Sequence, residues 1–501
     1  MRINGFTFEG YGYPDPVFYP HLFLYIPAVL SLMGVPFGAS VHTFLLLVNW
    51  SGALAMYFCG KKMFDCKSAG CISSMLYTMG IYRLCNEYIR AAYGEVLAMV
   101  FFPLVIWGLY ELFYGQEKYW ILLPIGFTGI FQSHLISTVL VAAGCVIFGL
   151  AGIRQLRKKN RLIALFKVMA VTLCMNLWTL IPLLQYMSTE MDTSSLQFHA
   201  EETLTPWPLY LTVFPLAEGS TPEVGADMSS AMPLSLGLAL ICGIVLLLAF
   251  RFVKKEKLPV RVRVLLWTGI GLLVIASDLV PWHLLVKVPV LKTASSYIQF
   301  LWRFMAIASC CLSLAVSYGV CQMWNKKNRG LLYIGVLTAA MISSQYFIAQ
   351  VNKAPADVWT EYNVSSAIKK NEYLYPGTRQ NCFNGQAYVS GENVKITNLE
   401  RGTLSVRCSY ENRENAQGAW IEMPLLYFPG YRGEDGNGNP LPVERGNNNQ
   451  VRVHFSGPSG EIHVFFRERR LWRAAELVSL LTAAWFIWEI CRHRSELSEE
   501  R

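Results

Sequence analysis

The side chains best suited to chemistry in this sequence are charged or polar residues set within or beside long apolar segments. Arg83, Glu87, Arg90 and Glu95 fall in the stretch RLCNEYIRAAYGEVLAM, where the spacing predicts that the first three share one helical face. Arginine keeps its charge and offers a planar fork of donors that matches a phosphate group. The stretch therefore predicts a phosphate site at a membrane boundary, with a self-paired arginine–glutamate patch as the alternative.

Three further polar residues extend this hypothesis. Arg303, with Gln299 in SSYIQFLWRFM, lies about two turns inside a predicted span, where an unpaired charge is costly and calls for a carboxylate or a ligand phosphate. His134 can donate to a phosphate as a neutral imidazole, or it can be a structural histidine. We expect Arg90, His134 and Arg303 to converge around one phosphate at the outer membrane boundary.

The elements that position these residues are apolar helices. Of the 501 residues, 53% are apolar and only 15% are charged, against roughly 25% charged in soluble domains. Many apolar stretches approach the ~20 residues that cross a bilayer. We predict eleven spans, at 41–60, 68–83, 93–113, 119–133, 135–152, 162–186, 232–250, 264–281, 297–322, 331–349 and 471–491.

The stretch 119–153 contains no Asp, Glu, Lys or Arg. As a single helix it would be about 52 Å long, whereas the hydrocarbon core is only ~30 Å thick. It must therefore fold back, and the polar residues Gln132, Ser133 and His134 mark the turn.

Charge distribution predicts the orientation. Connectors 61–67, 154–161, 251–263 and 326–329 are all basic and lie on one side, whereas loop 187–231 carries seven acidic residues and no Lys or Arg. Basic loops are typically cytoplasmic, so the C-terminus is predicted inside and residues 351–470 outside. The net charge of +9 is thus a property of cytoplasmic loops, and nucleic acid is not a predicted partner.

This orientation places the N-terminus outside, with no signal peptide to carry it there. We expect that an N-terminal segment with one further span is missing from the sequence. Residues 1–40 are then an external loop followed by a helix over 20–36 lying at the interface. The alternative, a span over 20–36, would place the basic loops outside.

The composition changes near residue 352. Short alternating segments separated by Gly-, Asn- and Pro-rich turns predict an antiparallel β-sandwich over 351–470. The predicted architecture is thus a mainly α polytopic membrane domain over 41–350, this external β-rich domain, and a last span with a cytoplasmic tail over 471–501. Only Cys382 and Cys408 of the thirteen cysteines lie in the β-rich domain, and a disulfide between them is left open. No CxxC pair or histidine cluster predicts a metal site.

Five motifs carry a resemblance: GYGYPDPVFYPHLFLYIPAVLSLMG, IRAAYGEVLAMVFFPLVIWGLYE, FQSHLIS, YIQFLWRFM and MPLLYFPGYR. In this order they resemble bacterial membrane proteins of the glycosyltransferase C (GT-C) type, in the branch of YfhO-like and "6-pyruvoyl-tetrahydropterin synthase-related" proteins. The resemblance extends from residue 1 to about residue 490. It implies no pterin chemistry, since the zinc-binding histidines are absent.

The resemblance implies sugar transfer at the outer leaflet from a polyprenyl-phosphate donor to a cell-envelope glycan or lipid. Arg90 and Glu95 match its RxxxxE segment, His134 its fold-back histidine, and Gln299 and Arg303 its QFxWR segment. An acidic residue of the first external loop would be the base or a ligand of a divalent metal. That acid precedes the first matching motif, so Asp15 is the nearest substitute here. The alternative for Asp15 is a turn residue in Pro14-Asp15-Pro16.

Two other classes of function fit the same pattern. A polysaccharide polymerase or a lipid-linked sugar transporter would also have many spans and a large outer domain. A non-catalytic homologue that serves as an assembly or scaffold protein is the third class.

Overall fold

The computed structural model describes residues 2–156, 158–192, 200–213, 232–254, 257–322, 326–352, 372–383, 389–390, 393–412 and 418–499. Two compact units contain them. The helical unit comprises His21–Leu173 and Gln197–Val358; the sheet unit comprises Met1–Pro20, Cys174–Leu196 and Trp359–Arg501. The predicted boundaries at residues 40, 350 and 470 divide the chain into consecutive domains. The sheet unit instead combines the C-terminal residues with two segments that are distant in sequence, Met1–Pro20 and Cys174–Leu196.

The α-helices are listed in chain order. They are α1 (Asp15–Phe18), α2 (Tyr25–Leu32), α3 (Phe37–Phe64), α4 (Lys67–Thr78), α5 (Ile81–Tyr88), α6 (Tyr93–Met99), α7 (Phe102–Tyr114), α8 (Leu122–Phe131), α9 (Leu135–Ala151), α10 (Ile153–Leu156), α11 (Lys159–Met187), α12 (Gly237–Lys254), α13 (Val260–Ile275), α14 (Trp282–Leu285), α15 (Pro289–Ile298), α16 (Phe304–Gln322), α17 (Lys326–Val351) and α18 (Arg470–Glu499).

Six stretches among the described residues are long and apolar enough to cross a membrane: Phe37–Phe64, Tyr93–Tyr114, Lys159–Met187, Leu301–Cys321, Gly330–Ala349 and Arg470–Arg492. The chain is therefore a membrane protein with a helical majority. The structure does not establish the predicted count of eleven, because the other five predicted spans contain the shorter or more polar helices α4, α8, α9, α12 and α13.

Small residues let the helices of the helical unit pack closely, as in other membrane helix pairs. A Cβ added to Gly60 of α3 would lie 2.3 Å from the Ser73 hydroxyl of α4. Likewise, a Cβ on Gly269 of α13 would lie 2.6 Å from Leu312, and one on Gly243 of α12 would lie 2.3 Å from Val316, both on α16. Helix α16 is thus held between two glycine contacts and is largely buried.

The predicted fold-back is confirmed. Helix α8 ends at Phe131, Gln132 and Ser133 form the turn, and α9 begins at Leu135 with His134 as its N-cap. Helix α2 has only eight residues, about 12 Å, which is too short to span a bilayer. Its lipid-interface position stays a prediction.

Antiparallel strands fill the C-terminal part of the sheet unit, as predicted. The strands are β1 (Val389–Ser390), β2 (Val394–Gly402), β3 (Ser405–Asn412), β4 (Ala419–Leu426), β5 (Tyr431–Asp435), β6 (Pro440–Leu441), β7 (Val443–Arg445), β8 (Gln450–Phe455) and β9 (Ser459–Phe466). One sheet has the order β1-β4-β8-β7, and the other has the order β2-β3-β9-β5-β6.

The two sheets pack face to face. The rings of Tyr410 on β3 and Phe455 on β8 have centroids 4.1 Å apart, and a Cβ on Gly433 of β5 would lie 3.3 Å from Val453 on β8. Alternate residues of the paired strands, such as Val406 and Ile462, are buried between them. Cys382 is exposed, Cys408 is buried, and both are free thiols.

The first residues of the chain belong to this unit through specific contacts. The Tyr11 carbonyl accepts a 2.8 Å hydrogen bond from the Leu426 amide. The buried Arg2 guanidinium lies over the Trp178 ring and forms a 3.1 Å ion pair with Glu476 of α18. These contacts explain why Met1–Pro20 and Cys174–Leu196 cluster with the strands.

The close approach of α8 to the α6–α7 junction gives a stability prediction. A Cβ on Gly129 would lie 2.3 Å from the Phe101 ring, so Gly129→Ala should destabilise the protein by about 1–3 kcal/mol through overpacking. Gly144→Ala in α9 is the matched control, because its Cβ would meet open space. Thermal unfolding in detergent measures both. Equal midpoints for the two variants would contradict the packing described here.

Candidate functional site

The Glu95 carboxylate, buried in the first turn of α6, is the centre of a polar cluster in the helical unit. Its Oε1 accepts hydrogen bonds from the Tyr82 hydroxyl at 2.5 Å and the Asn86 amide at 3.2 Å. Tyr82 and Asn86 are four residues apart on α5, so they lie on the same helical face. This face fixes the orientation of the carboxylate.

Two arginines share the other oxygen of Glu95. Arg90 Nη1 lies 3.0 Å from Oε2, and Arg303 Nε lies 3.6 Å from it. Arg90 also donates to Asn86 Oδ1, so the amide of Asn86 bridges an arginine and the carboxylate. We call Tyr82, Asn86, Arg90, Glu95, His134, Gln299 and Arg303 the Glu95 cluster.

Gln299 positions Arg303 through a break in the predicted span 297–322. It has φ 65° and ψ −62°, and the Phe300 amide donates to the Ile298 carbonyl at 2.8 Å, which is the strained form of a γ-turn. Arg303 Nη1 donates to Gln299 Oε1 at 2.8 Å and to the Ile298 carbonyl at 3.0 Å. Arg303 therefore lies directly before α16, not two turns inside a span as predicted, because the turn at Gln299 interrupts the helix.

His134 joins the cluster from the fold-back. Its Nδ1 accepts a hydrogen bond from the Ser137 amide at 3.2 Å, so the ring is neutral with its proton on Nε2. A Cβ on Gly94 would lie 3.7 Å from His134 Cδ2, which places the ring beside the start of α6. Burial, reinforced by the charge of Arg303, lowers the pKa of His134 to about 4.

The cluster has an unbalanced charge. Arg90 and Arg303 contribute two positive charges, Glu95 contributes one negative charge, and His134 is neutral. The seven side chains of the cluster thus carry a net charge of +1, and Glu95 and Arg303 are almost fully buried. Two guanidinium groups oriented by one carboxylate still offer further N–H donors, so this arrangement favours binding of an anion.

Arg83 lies apart from the cluster, and the predicted common face with Arg90 is wrong. Helix α5 ends at Tyr88, and the Arg90 amide donates to the Cys85 carbonyl at 2.9 Å, so a wider, five-residue turn interrupts the helical spacing before Arg90. The Arg83 guanidinium is buried, with Nε and Nη2 each 3.1 Å from Asn49 Oδ1. Asn49 in turn donates to Glu87 at 2.7 Å. This arrangement stabilises the packing of α5 on α3.

Asp15, the predicted catalytic acid, belongs to the sheet unit. It is the first residue of α1, it is half-buried, and its Oδ1 has no hydrogen-bond partner among the described residues. Burial raises the pKa of its carboxyl to about 6, although a hydrogen bond with Asn4 opposes the shift. The carboxyl therefore has a proton affinity suited to acid–base chemistry near neutral pH.

A divalent metal does not fit the Glu95 cluster. Both carboxylate oxygens of Glu95 already accept hydrogen bonds, and two guanidinium groups surround them. No group of three His, Cys, Asp or Glu side chains with metal-binding geometry occurs in the part of the chain that the structure describes.

The sequence analysis missed Tyr82, Asn86 and Gly94. A signal for Tyr82 and Asn86 is present in the sequence, because these two residues are one helical turn apart and shortly precede Glu95. The carboxylate of Glu95 lies in an apolar segment and therefore needs hydrogen-bond donors. Gly94 allows residues 133 and 134 to approach the start of α6 closely. Because these residues are distant in sequence, no local pattern predicts this contact.

The comparisons with known proteins concern this same region. A family profile described as "6-pyruvoyl-tetrahydropterin synthase related domain; membrane protein" matches residues 17–350, about two thirds of the chain. The chain belongs to this family. The match includes every residue of the Glu95 cluster and ends before the strands. No curated protein and no solved structure matches the chain significantly.

The shared carboxylate in this family member gives a prediction that does not depend on any activity. Glu95→Gln removes the negative charge between two guanidinium groups, and breaking such a buried pair typically costs ~3–5 kcal/mol. Glu87→Gln is the control, because a glutamine oxygen can still accept the bond from Asn49. Thermal unfolding in detergent should show a much larger loss for Glu95→Gln. Similar losses in the two variants would contradict the central role of Glu95.

Proposed function

We propose that this protein is a membrane glycosyltransferase that transfers a sugar from a polyprenyl-phosphate donor to a cell-envelope acceptor, and that the Glu95 cluster binds the donor phosphate. The observation that supports the proposal is the convergence of the Arg90 and Arg303 guanidinium groups on one oxygen of Glu95 in a buried site. A sugar joined to a polyprenol through a phosphodiester carries one negative charge, and its oxygens accept hydrogen bonds from such groups. Its apolar tail belongs in the bilayer.

The residues of the cluster have distinct roles in this proposal. Arg90 and Arg303 donate to the phosphate oxygens, and His134 adds a donor through Nε2–H. Glu95 is a positioning residue, since its oxygens are engaged by Tyr82, Asn86 and the two arginines. Gln299 holds the Arg303 guanidinium at 2.8 Å and limits its freedom before the ligand binds.

The proposed reaction is a substitution at the anomeric carbon. The acceptor hydroxyl oxygen forms a bond to this carbon, the bond from carbon to phosphate oxygen breaks, and its electron pair remains on the phosphate. The arginines stabilise the charge that develops there. The hydroxyl proton goes to a base outside the Glu95 cluster. In this proposal the basic connectors and the C-terminus are cytoplasmic, and transfer takes place at the outer face of the bacterial cell membrane.

One observation favours a second candidate function. The cluster holds a single carboxylate, Glu95, and both of its oxygens are engaged, so the cluster supplies no base of its own. A protein that binds or transports a lipid-linked sugar without transferring it needs only the cationic groups. Donor binding without transfer would support this second function.

The test uses the full chain in membrane vesicles, with a radiolabelled C55 polyprenyl-phosphate hexose as the probe. Arg303→Lys keeps the charge but loses the planar fork, so transfer of label to envelope material should fall about tenfold or more. Arg90→Ala and His134→Ala should also reduce transfer. Arg263→Lys is the control, because Arg263 is exposed and lies outside the cluster. Native rates of transfer in all three cluster variants would refute the proposed phosphate site.

A further inference from the structure

A second cationic site lies at the beginning of the last helix, in the sheet unit. Arg467, Glu468, Arg470 and Arg473 line a surface cleft of about 390 Å³. The segment 467–476 contains four arginines and two glutamates and therefore has a net charge of +2. The cleft belongs to the sheet unit, whereas the Glu95 cluster belongs to the helical unit.

The two glutamates satisfy only one of the arginines of this segment. Arg473 pairs with Glu468 at 3.1 Å and with Glu476 at 2.8 Å. Glu476 also pairs with the buried Arg2. Arg467, Arg469 and Arg470 are exposed and form no ion pair with any residue that the structure describes. Of these three arginines, Arg467 and Arg470 line the cleft.

The position of these arginines is electrostatically unfavourable without an anion. Helix α18 begins at Arg470, and cations in the first turn of a helix oppose its dipole. They also repel one another at this spacing. An anion bound by Arg467 and Arg470 removes both penalties.

The helix below the cleft presents an apolar stripe. Leu471, Val478, Leu481, Trp485 and Trp488 are exposed and recur at intervals of three, four or seven residues, so they line one face of α18. From Leu471 to Trp488 the stripe runs about 26 Å, close to the ~30 Å thickness of the hydrocarbon core. One end of a membrane-crossing apolar face therefore lies at the cationic cleft.

We propose that this cleft binds the phosphate of an anionic glycerophospholipid, whose acyl chains lie along the exposed stripe of α18. Arg467 and Arg470, which line the cleft, complement a phosphodiester headgroup, and the stripe complements the lipid tails. Basic residues directly beside a transmembrane helix are a common means of recognising anionic lipids. A zwitterionic lipid cancels much of this attraction through its own ammonium group.

The experiment measures lipid binding to the purified full chain by native mass spectrometry, with phosphatidylglycerol and phosphatidylcholine as probes. We expect tighter binding of phosphatidylglycerol, and about a tenfold loss of its affinity in the double variant Arg467→Ala/Arg470→Ala, with two arginines removed. The matched control is Arg407→Ala/Arg432→Ala, which removes two exposed arginines from the strands β3 and β5. Unchanged binding in the control supports a local site.

Three outcomes would overturn the proposal. Equal affinity for the two lipids would remove the requirement for an anionic headgroup. Native affinity for phosphatidylglycerol in Arg467→Ala/Arg470→Ala would place the lipid elsewhere. Complete displacement of the lipid by millimolar inorganic phosphate would show a site for soluble anions, since the apolar stripe would then contribute nothing.

Discussion

The Glu95 carboxylate, shared between two guanidinium groups inside an apolar protein, is the interaction on which the site depends. Three interruptions of helices meet there: the turn before α6, the fold-back before α9 and the γ-turn before α16. Interrupted backbone inside a membrane protein persists only where protein groups satisfy it. The hydrogen bonds of Asn86, His134 and Arg303 provide that satisfaction. The ion pairs therefore both stabilise these breaks and position the cationic groups.

The same arrangement explains how the site remains ready for a ligand. The arginines are oriented by Asn86, Gln299 and the Ile298 carbonyl, so binding an anion requires little reordering. Glu95 neutralises one of the two positive charges and lowers the cost of burying the pair. The N–H groups of the two arginines supply the attraction for an anion. The carboxylate thus stabilises the arrangement, and the arginines that it positions provide the ligand affinity.

Arg90, His134 and Arg303 were predictable as one group because the charge pattern of the loops predicts that their segment ends share a membrane boundary. Sequence reasoning misplaced Arg83 and the depth of Arg303, since helical periodicity was extended across two breaks that local propensity does not reveal. Ala91 and Gln299 adopt positive φ values that helical periodicity does not predict. The β-rich region was predictable from its alternation, whereas the contribution of Met1–Pro20 to that unit depends on long-range contacts such as Arg2–Glu476.

The most direct measurement is a cryo-electron microscopy map of the full chain in lipid nanodiscs with C55 polyprenyl monophosphate. The account predicts density for the phosphate within hydrogen-bond distance of both Arg90 and Arg303, with the Glu95 carboxylate still bound to Tyr82 and Asn86. Phosphate density elsewhere, with the arginines bound to Glu95 alone, would contradict it.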